Sequence, residues 1–373
     1  MSEQKTIVLS ADYSELREYI LFNKYTNIML VCDSFLPNLK IGAFFDAIEN
    51  EGKIKIVRFD KFEPNPRYES VKSGIELFNS ENCDAIIAVG GGSAMDVAKC
   101  IKLFAECDSS EPYFNQILKP NNISLSVVPT TAGTGSESTK YAVIYYNGEK
   151  QSVTNVNCIP DNVFFDTCVL DTLPMYQRKA TMMDALCHAI ESFWSINSTE
   201  VSRKYSFDAI RSIFYNMKAY LSNDRTANIN MLFASNIAGK AINITQTTAG
   251  HAMSYKLTSM FGIAHGHAAA LCVSQIWPYM LDNIDNCIDV RGKDFLIHVF
   301  SDIANAMDCN NAREAANKFS VILSDLELLP PSLIEESQYM VLKESVNPVR
   351  LKNNPISFSV DEIDFLYKRI LGK

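Results

Sequence analysis

Four of the five histidines in this chain of 373 residues fall in one stretch near its middle. Asp184 opens the stretch, and the histidines are His188, His251, His265 and His267. Because Asp184 and His188 are four residues apart, their side chains would share one face of a helix. Three imidazoles and one carboxylate suit Fe(II), Zn(II) or a similar first-row ion, and suit Ca or Mg poorly. We therefore predict a metal site here, which the later histidines can join only through the fold.

Two turn-rich stretches in the first half of the chain could hold a nucleotide. Residues 90–93, Gly-Gly-Gly-Ser, follow a strand-like run and precede a helical pattern, so their backbone amides could approach a phosphate. They lack the G-x-G-x-x-G fingerprint, and a bare tight turn is an equal alternative. Residues 129–137 carry four hydroxyls and two glycines. Both stretches would lie at the carboxyl ends of strands, where α/β proteins hold nucleotides.

Asp33 ends the first strong strand-like run. A carboxylate at that position could accept hydrogen bonds from the adenosine ribose and repel a 2′-phosphate, which would favour NAD over NADP. A helix cap for the segment after Ser34 is an equally good explanation of the same residue.

The pattern of apolar residues divides the chain into two parts. Helical patterns separate the strand-like runs of the first part, which predicts a parallel sheet covered by helices. From Met175 onward long amphipathic stretches replace the strands, so we predict an α/β domain over 1–174 and an all-helical domain over 175–373. The strand-like runs are residues 28–32, 54–59, 85–89 and 124–129.

Composition limits the partners and the compartment. The formal net charge is −9 and no basic run is present, so nucleic acid is an unsuitable partner. No apolar run is long enough for a bilayer, and the N-terminus does not resemble a signal peptide. None of the ten cysteines forms a C-x-x-C pair, which favours reduced thiols. We therefore expect a cytoplasmic protein without membrane or nucleic-acid partners.

Several motifs together resemble the iron-containing alcohol dehydrogenase family. They are residues 90–99, 129–137 and 184–191, followed by His251 and by His265 with Gly266, and they stand in the family's order. The resemblance covers essentially the whole chain. It implies an N-terminal Rossmann-like α/β domain, a C-terminal helical domain in a dehydroquinate synthase-like architecture, and a homodimer.

The resemblance also assigns roles to individual positions. The metal ligands would be Asp184, His188, His251 and His265. Lys150 lies where the family often places a lysine toward the nicotinamide ribose, although a surface lysine after the Asn-Gly turn at 147–148 is nearly as good an explanation. The positions that would contact the nucleotide are Asp33, Gly91, Gly92, Ser93, Thr130, Thr131, Thr134 and Ser136.

Two positions depart from the commoner family pattern. Many members carry a histidine four residues after the third ligand, where this chain has Tyr255. A tyrosine hydroxyl can relay a proton, although its unperturbed pKa is much higher than that of histidine. His267 is additional, two residues beyond a ligand. We regard both as candidate catalytic residues, with simple packing as the alternative for His267.

The resemblance implies a metal-dependent, NAD(P)-linked alcohol dehydrogenase or aldehyde reductase. Its cofactors would be NAD(H) or NADP(H) and Fe2+, with Zn2+ as an alternative, and its substrate a small alcohol or aldehyde. The stretch 251–268 is similar to members that reduce phosphonoacetaldehyde to 2-hydroxyethylphosphonate, for which Lys256 or His267 could bind the anion. The alternatives are a glycerol-phosphate dehydrogenase, a dehydroquinate synthase-like lyase of the same fold, or a non-catalytic metal- or nucleotide-binding relative.

Overall fold

The computed structural model of this protein describes residues 4–108, 110–332 and 335–372. The chain divides into two compact units. The sheet unit holds the residues up to Thr131 together with Ser136–Leu173. The helical unit holds Ala132–Gly135 together with the residues from Pro174 onward.

The sheet unit is built on six parallel strands in the order β1-β8-β5-β4-β2-β3. β4 is buried along its whole length, as expected for a strand with helices on both faces. A separate antiparallel hairpin, β6–β7, turns at Asn147 and Gly148, which both have positive φ. The strands are β1 (Lys5–Val8), β2 (Asn27–Cys32), β3 (Lys55–Phe59), β4 (Ala85–Gly90), β5 (Ser124–Pro129), β6 (Tyr141–Tyr146), β7 (Glu149–Thr154) and β8 (Asn162–Phe165).

Among its described residues, the sheet unit has four α-helices, which connect its strands. They are α1 (Ser14–Phe22), α2 (Lys40–Asn50), α3 (Tyr68–Ser80) and α4 (Gly92–Phe104). α4 begins directly after β4, so the glycine-rich turn at 90–93 lies at the carboxyl end of a central strand. This is the position in which a parallel α/β sheet presents a helix N-terminus to a ligand.

The helical unit is organised around α5, whose residues from Met182 to Trp194 are all buried. A helix that is buried on every side forms the core of its unit. α9 is also largely buried, and it packs against both α5 and α8. The helices of this unit are α5 (Met175–Trp194), α6 (Glu200–Leu221), α7 (Arg225–Thr245), α8 (Ala249–Phe261), α9 (His265–Asp282), α10 (Lys293–Ala306), α11 (Ala312–Asp325), α12 (Glu336–Glu344), α13 (Pro348–Leu351) and α14 (Val360–Ile370).

These elements confirm the predicted fold class, a parallel α/β part followed by an all-helical part. Among the described residues, none of the helices combines the length and the apolar character needed to cross a lipid bilayer.

Candidate metal centre and nucleotide loops

Three of the four predicted ligands meet in the interior of the helical unit. Asp184 and His188 lie on α5 and His251 lies on α8. One ligand atom from each lies within 4.8 Å of the other two, and all three side chains are buried. The rings of His188 and His251 stack with their centroids 4.5 Å apart. The fold thus adds a residue 63 positions further along the chain to the pair that shares one helix face.

Two buried polar atoms face each other at this point. Asp184 Oδ1 and His251 Nε2 are 3.5 Å apart. Within the described residues, neither atom has a hydrogen-bond partner. Buried polar atoms are nearly always satisfied, so an opposed carboxylate oxygen and imidazole nitrogen without a hydrogen bond between them form a candidate site for a shared partner. A divalent cation would satisfy both atoms, and the N/O donor set fits the predicted first-row metal.

The Nδ1 atoms of His188 and His251 have protein partners that orient the two rings for such a cation. His188 Nδ1 lies 3.3 Å from the carbonyl oxygen of Gly133, to which it can donate. His251 Nδ1 contacts the Glu191 carboxylate. A metal-binding histidine usually donates its other ring N–H to such an acceptor, which fixes the tautomer. Each Nε2 atom is then left to face the site.

His265 is the first residue of α9 and is half-buried. Its ring lies 5.2 Å from that of His251, and it stacks on the ring of Tyr255 at 5.6 Å with an interplanar angle of 5°. The next residue allows this approach, because a Cβ atom on Gly266 would lie 2.1 Å from the Ala180 carbonyl oxygen. His265 therefore stands beside the three-atom cluster, without belonging to the group of atoms within 4.8 Å.

The charges of the cluster are strongly coupled. Burial by itself would raise the pKa of Asp184, but the neighbouring histidines, His188 first, hold that pKa below its ordinary value. Burial lowers the pKa of His188, which favours the neutral form that a metal ligand needs. Burial would also lower the pKa of His251, yet the Glu191 and Asp184 carboxylates raise it to about 10. The two carboxylates thus favour a positive charge on the His251 ring.

The glycine-rich turn brings three predicted nucleotide contacts together in the sheet unit. Gly91 is the N-cap residue of α4 and, as a glycine, has no side chain to cap the amides of that helix's first turn. A Cβ atom on Gly90 would lie 2.4 Å from the Ala94 Cβ and 3.5 Å from Asp33 Oδ2, so Asp33 borders the turn. Thr131 adds a buried hydroxyl near Gly91 that has no hydrogen-bond partner in the described part of the chain.

The remaining predicted nucleotide positions differ from one another in burial and in hydrogen bonding. Gly92 and Ser93 open α4, and Thr130 donates its N–H to the Gly90 carbonyl at 3.0 Å. Thr134 is half-buried, in the segment that belongs to the helical unit. Ser136 is buried, and its hydroxyl donates to Asp96 at 2.9 Å, so that hydroxyl already serves an internal contact. Burial raises the pKa of Asp96, and the charge of Lys150, on β7, is one of the smaller influences that oppose this rise.

Sequence reasoning gave no role to Lys99 or Glu191, although both stand inside the quoted motifs. Lys99 is fully buried, and its ammonium contacts oxygens of Ser136, Thr139 and Tyr141. Burial lowers the pKa of Lys99, against the opposing charge of Asp96. The spacing of Asp96 and Lys99, three residues apart on a helix, was the available signal for this pair.

The two candidate catalytic residues differ in their surroundings. Tyr255 is half-buried and stacks on His265. His267 is buried, with Nδ1 3.1 Å from the Tyr176 hydroxyl and Nε2 3.0 Å from the Leu329 carbonyl oxygen. Burial lowers the pKa of His267, which favours a neutral ring that donates from Nε2 and accepts at Nδ1.

Comparison with known proteins gives matches over both halves of the chain. Residues 4–167 match the family model described as iron-containing alcohol dehydrogenase. Residues 179–371 match the model for the C-terminal part of the Fe-containing alcohol dehydrogenase family.

Individual relatives are similar over most of their length. The 1,3-propanediol dehydrogenase of Citrobacter freundii is 33% identical over 261 residues, which cover 68% of this chain and 67% of that protein. Alcohol dehydrogenase 4 of Schizosaccharomyces pombe is 27% identical over 369 residues, covering 95% of this chain and 85% of that protein. The crystal structure of sulfoacetaldehyde reductase from Bifidobacterium kashiwanohense in complex with NAD+ has a TM-score of 0.86. The similarity covers 99% of this chain and 97% of that chain at 24% identity, and it shows a likeness of fold.

Proposed function

The chain belongs to the iron-containing alcohol dehydrogenase family, and we propose that it interconverts a small alcohol and its aldehyde at the Asp184 metal centre. Membership makes it an oxidoreductase that acts with NAD(H) and iron, as the resemblance implied. The observation that carries the proposal is the pair Asp184 Oδ1 and His251 Nε2, buried, 3.5 Å apart and without hydrogen bonds among the described residues. Such a pair suits a cation better than any neutral occupant.

The residues of the centre would hold the metal as a set. Asp184, His188 and His251 supply three ligand atoms, and His265 is proposed as the fourth ligand because its ring borders that of His251. When bound, the metal supplies Lewis acidity to the reacting oxygen, and the nicotinamide supplies or accepts the hydride. The burial of the three ligands excludes water, which strengthens their electrostatic effect on the substrate.

The glycine-rich turn is proposed as the pyrophosphate site of NAD(H). The uncapped amides at the start of α4 can donate to phosphate oxygens, and the Thr131 hydroxyl can add a further hydrogen bond. Asp33 borders the same turn and is proposed to select NAD over NADP by repelling a 2′-phosphate. Lys150 is proposed to lie toward the nicotinamide ribose. The proposed role of Ser136 is indirect, since its hydroxyl holds Asp96.

Tyr255 is proposed to exchange the proton of the substrate hydroxyl, alone or through water. Its ring stacks on His265, which places it beside the proposed fourth ligand. For His267 we propose a structural role in place of the predicted catalytic one. Both of its ring nitrogens already have protein partners, Tyr176 and Leu329, so neither is left for a substrate.

The substrate class is proposed to be small aldehydes that carry an anionic group, with phosphonoacetaldehyde as the specific candidate. Lys256 follows Tyr255 directly on α8 and is half-buried, so it is the proposed cationic contact. The structurally similar sulfoacetaldehyde reductase acts, by its name, on an aldehyde with a negatively charged group of the same size class. We also propose a homodimer, to be tested by light scattering, and a cytoplasmic location, with which ten unpaired cysteines agree.

Elemental analysis and a substrate screen test this function. The protein is purified without chelator and assayed for iron and zinc. Oxidation of NADH and NADPH is then followed with short-chain, hydroxylated and phosphonylated aldehydes, with His251→Gln as the inactive control. Protein that holds no metal and turns over no aldehyde contradicts the proposal. Turnover of simple aldehydes without phosphonoacetaldehyde contradicts the substrate assignment alone.

A further inference from the structure

A buried carboxylate outside the predicted ligand set lies directly behind one ligand. Glu191 is on α5, seven residues after Asp184, and its side chain is completely buried. A carboxylate in such a position is tolerated only when several donors compensate for the lost water. In the described part of the chain, the donors to its carboxylate lie at the beginning of α8, the helix that carries His251.

One oxygen of Glu191 binds the start of that helix. Oε1 accepts from the Thr248 N–H at 3.1 Å, from the Thr248 hydroxyl at 2.6 Å and from the His251 N–H at 3.3 Å. Thr248 is the N-cap residue of α8, yet its own side chain caps nothing. Glu191 therefore supplies, from another helix, the acceptor and the negative charge that a helix N-terminus requires.

The other oxygen of Glu191 binds the ring of His251. Oε2 contacts Nδ1, and an ionised carboxylate can only accept, so Nδ1 carries the proton. Nε2 is then the ring nitrogen that faces Asp184 Oδ1, 3.5 Å away, and the one that would bind a metal. A single carboxylate thereby fixes both the backbone position of His251 and the tautomer of its ring.

We propose that Glu191 is a positioning residue that prepares His251 to accept the metal. The inference rests on the proposed metal centre and deepens it. Trp194 Nε1 donates a hydrogen bond to the Thr248 hydroxyl at 2.9 Å, and this bond orients the hydroxyl that donates to Glu191. These hydrogen bonds connect four buried residues in series: Trp194, Thr248, Glu191 and His251. Their arrangement is therefore already formed in the protein without a bound metal.

Replacing Glu191 by glutamine tests the tautomer directly, because an amide has one acceptor oxygen and one donor nitrogen. If the amide oxygen stays on the α8 amides, the NH2 group faces His251 Nδ1. That nitrogen must then accept, and the ring proton moves to Nε2, where it blocks a metal. If the amide is reversed, its NH2 group faces the N–H groups of Thr248 and His251. Neither orientation reproduces both contacts of Glu191.

The experiment uses the full chain, stripped with chelator and titrated with Co2+ in competition with a chelator of known affinity. We expect Glu191→Gln to weaken Co2+ binding about 10- to 100-fold and to change the visible d–d absorption of the bound ion. Glu362→Gln is the matched control. It makes the same change in a carboxylate that accepts from the N–H of Ser359 at 2.6 Å and from its hydroxyl at 2.7 Å at the start of another helix, α14, so its Co2+ affinity and spectrum should stay near those of the wild type.

The possible results separate this inference from the function on which it rests. Wild-type protein that binds no Co2+ overturns the metal centre itself. Wild-type binding together with equal binding and an unchanged spectrum in Glu191→Gln overturns the positioning role alone. If that variant does not fold, Glu191→Asp replaces it, because the shorter carboxylate cannot span both contacts. Weaker Co2+ binding in Glu191→Asp then supports the inference, and wild-type binding overturns it.

Discussion

Lys99 is bound to Ser136 through two oxygens, with Nζ 2.5 Å from the carbonyl and 3.0 Å from the hydroxyl. The same ammonium lies 3.0 Å from the Thr139 carbonyl oxygen and 2.8 Å from that of Tyr141. One buried cation thus holds the end of the second nucleotide motif and the residues that follow it. Lys99 is itself fully buried, so we expect it to act on the proposed nucleotide site through this segment.

Replacing Lys99 with methionine should destabilise the protein by roughly 3 kcal/mol, because the carbonyls of this segment lose their donor and Asp96 loses its counter-charge. The loop then shifts, and kcat/KM for NADH should fall roughly 10- to 100-fold. Denaturant unfolding and steady-state kinetics measure the two effects. Lys102→Met is the control on the same helix, where the lysine lies 3.4 Å from Asp161 instead. An unchanged kcat/KM in Lys99→Met would contradict the proposed role of the loop.

Gly266→Ala should damage the metal centre. The added Cβ would lie 2.6 Å from the Asp184 Cβ, so α9 must move away from α5 and carry His265 with it. We expect roughly 1–3 kcal/mol of lost stability and a loss of about 100-fold in kcat/KM. Gly262→Ala serves as control, because it introduces strain at a φ of 67° but meets no atom within 4 Å. Equal activities of the two variants would refute the importance of this close contact.

His267→Phe should affect stability more than catalysis. The substitution removes the contacts to Tyr176 and Leu329, and the Leu329 carbonyl loses its donor. We expect a loss of about 1–3 kcal/mol in the free energy of unfolding, with kcat and metal content near the wild-type values. Thermal unfolding, kinetics and elemental analysis together measure this. A large fall in kcat with unchanged stability would restore the catalytic role predicted from the sequence.

Tyr255→Phe should give the opposite result. It removes the proposed proton-exchanging hydroxyl and keeps the ring that stacks on His265. The expected loss in kcat is about 100-fold, with a normal melting temperature and normal metal content. The solvent isotope effect on kcat should change as well, because the proton must then leave by another route. A variant with wild-type kcat would remove Tyr255 from the mechanism.

Asp33 should make nucleotide selection depend on pH. Burial raises the pKa of this carboxyl above its ordinary value of 3.8, so its charge is present at neutral pH and is lost as pH falls toward that raised pKa. Rejection of NADPH should therefore be strongest near neutral pH and weaken as the pH is lowered toward that raised pKa. Asp33→Ser should bind NADPH about tenfold more tightly at neutral pH, with no pH dependence of the preference. Fluorescence titration of metal-free protein with NADH and NADPH measures this, and a pH-independent preference in the wild type would contradict it.

The fold class was predictable because the apolar patterns of the central strands are strong. β2, β4 and β5 are buried over almost their whole length, and apolar residues dominate their sequences. β1 has a weaker pattern, since only four residues form it and none of them is fully buried. β8 was missed, because four buried residues are too few to distinguish a strand from a loop by periodicity.

The candidate site was only partly predictable for a different physical reason. Asp184 and His188 could be paired from their spacing on one helix, but His251 joins them through tertiary packing of α8. The roles of Glu191 and Lys99 depend on which loop or helix end lies beside a buried charge. The hydrophobic periodicity of a sequence does not show which loop or helix end packs beside a given charged side chain. A sequence motif can therefore include such residues without showing which groups they contact.

All the proposed metal ligands, together with Glu191 and Gly133, belong to the helical unit. The glycine-rich turn and Asp33 belong to the sheet unit. A preparation could therefore be fully loaded with metal and still be inactive, because damage to the glycine-rich turn would leave every ligand in place. Metal stoichiometry alone is consequently a poor measure of the active fraction, and specific activities of variants need normalisation by nucleotide-binding titration as well.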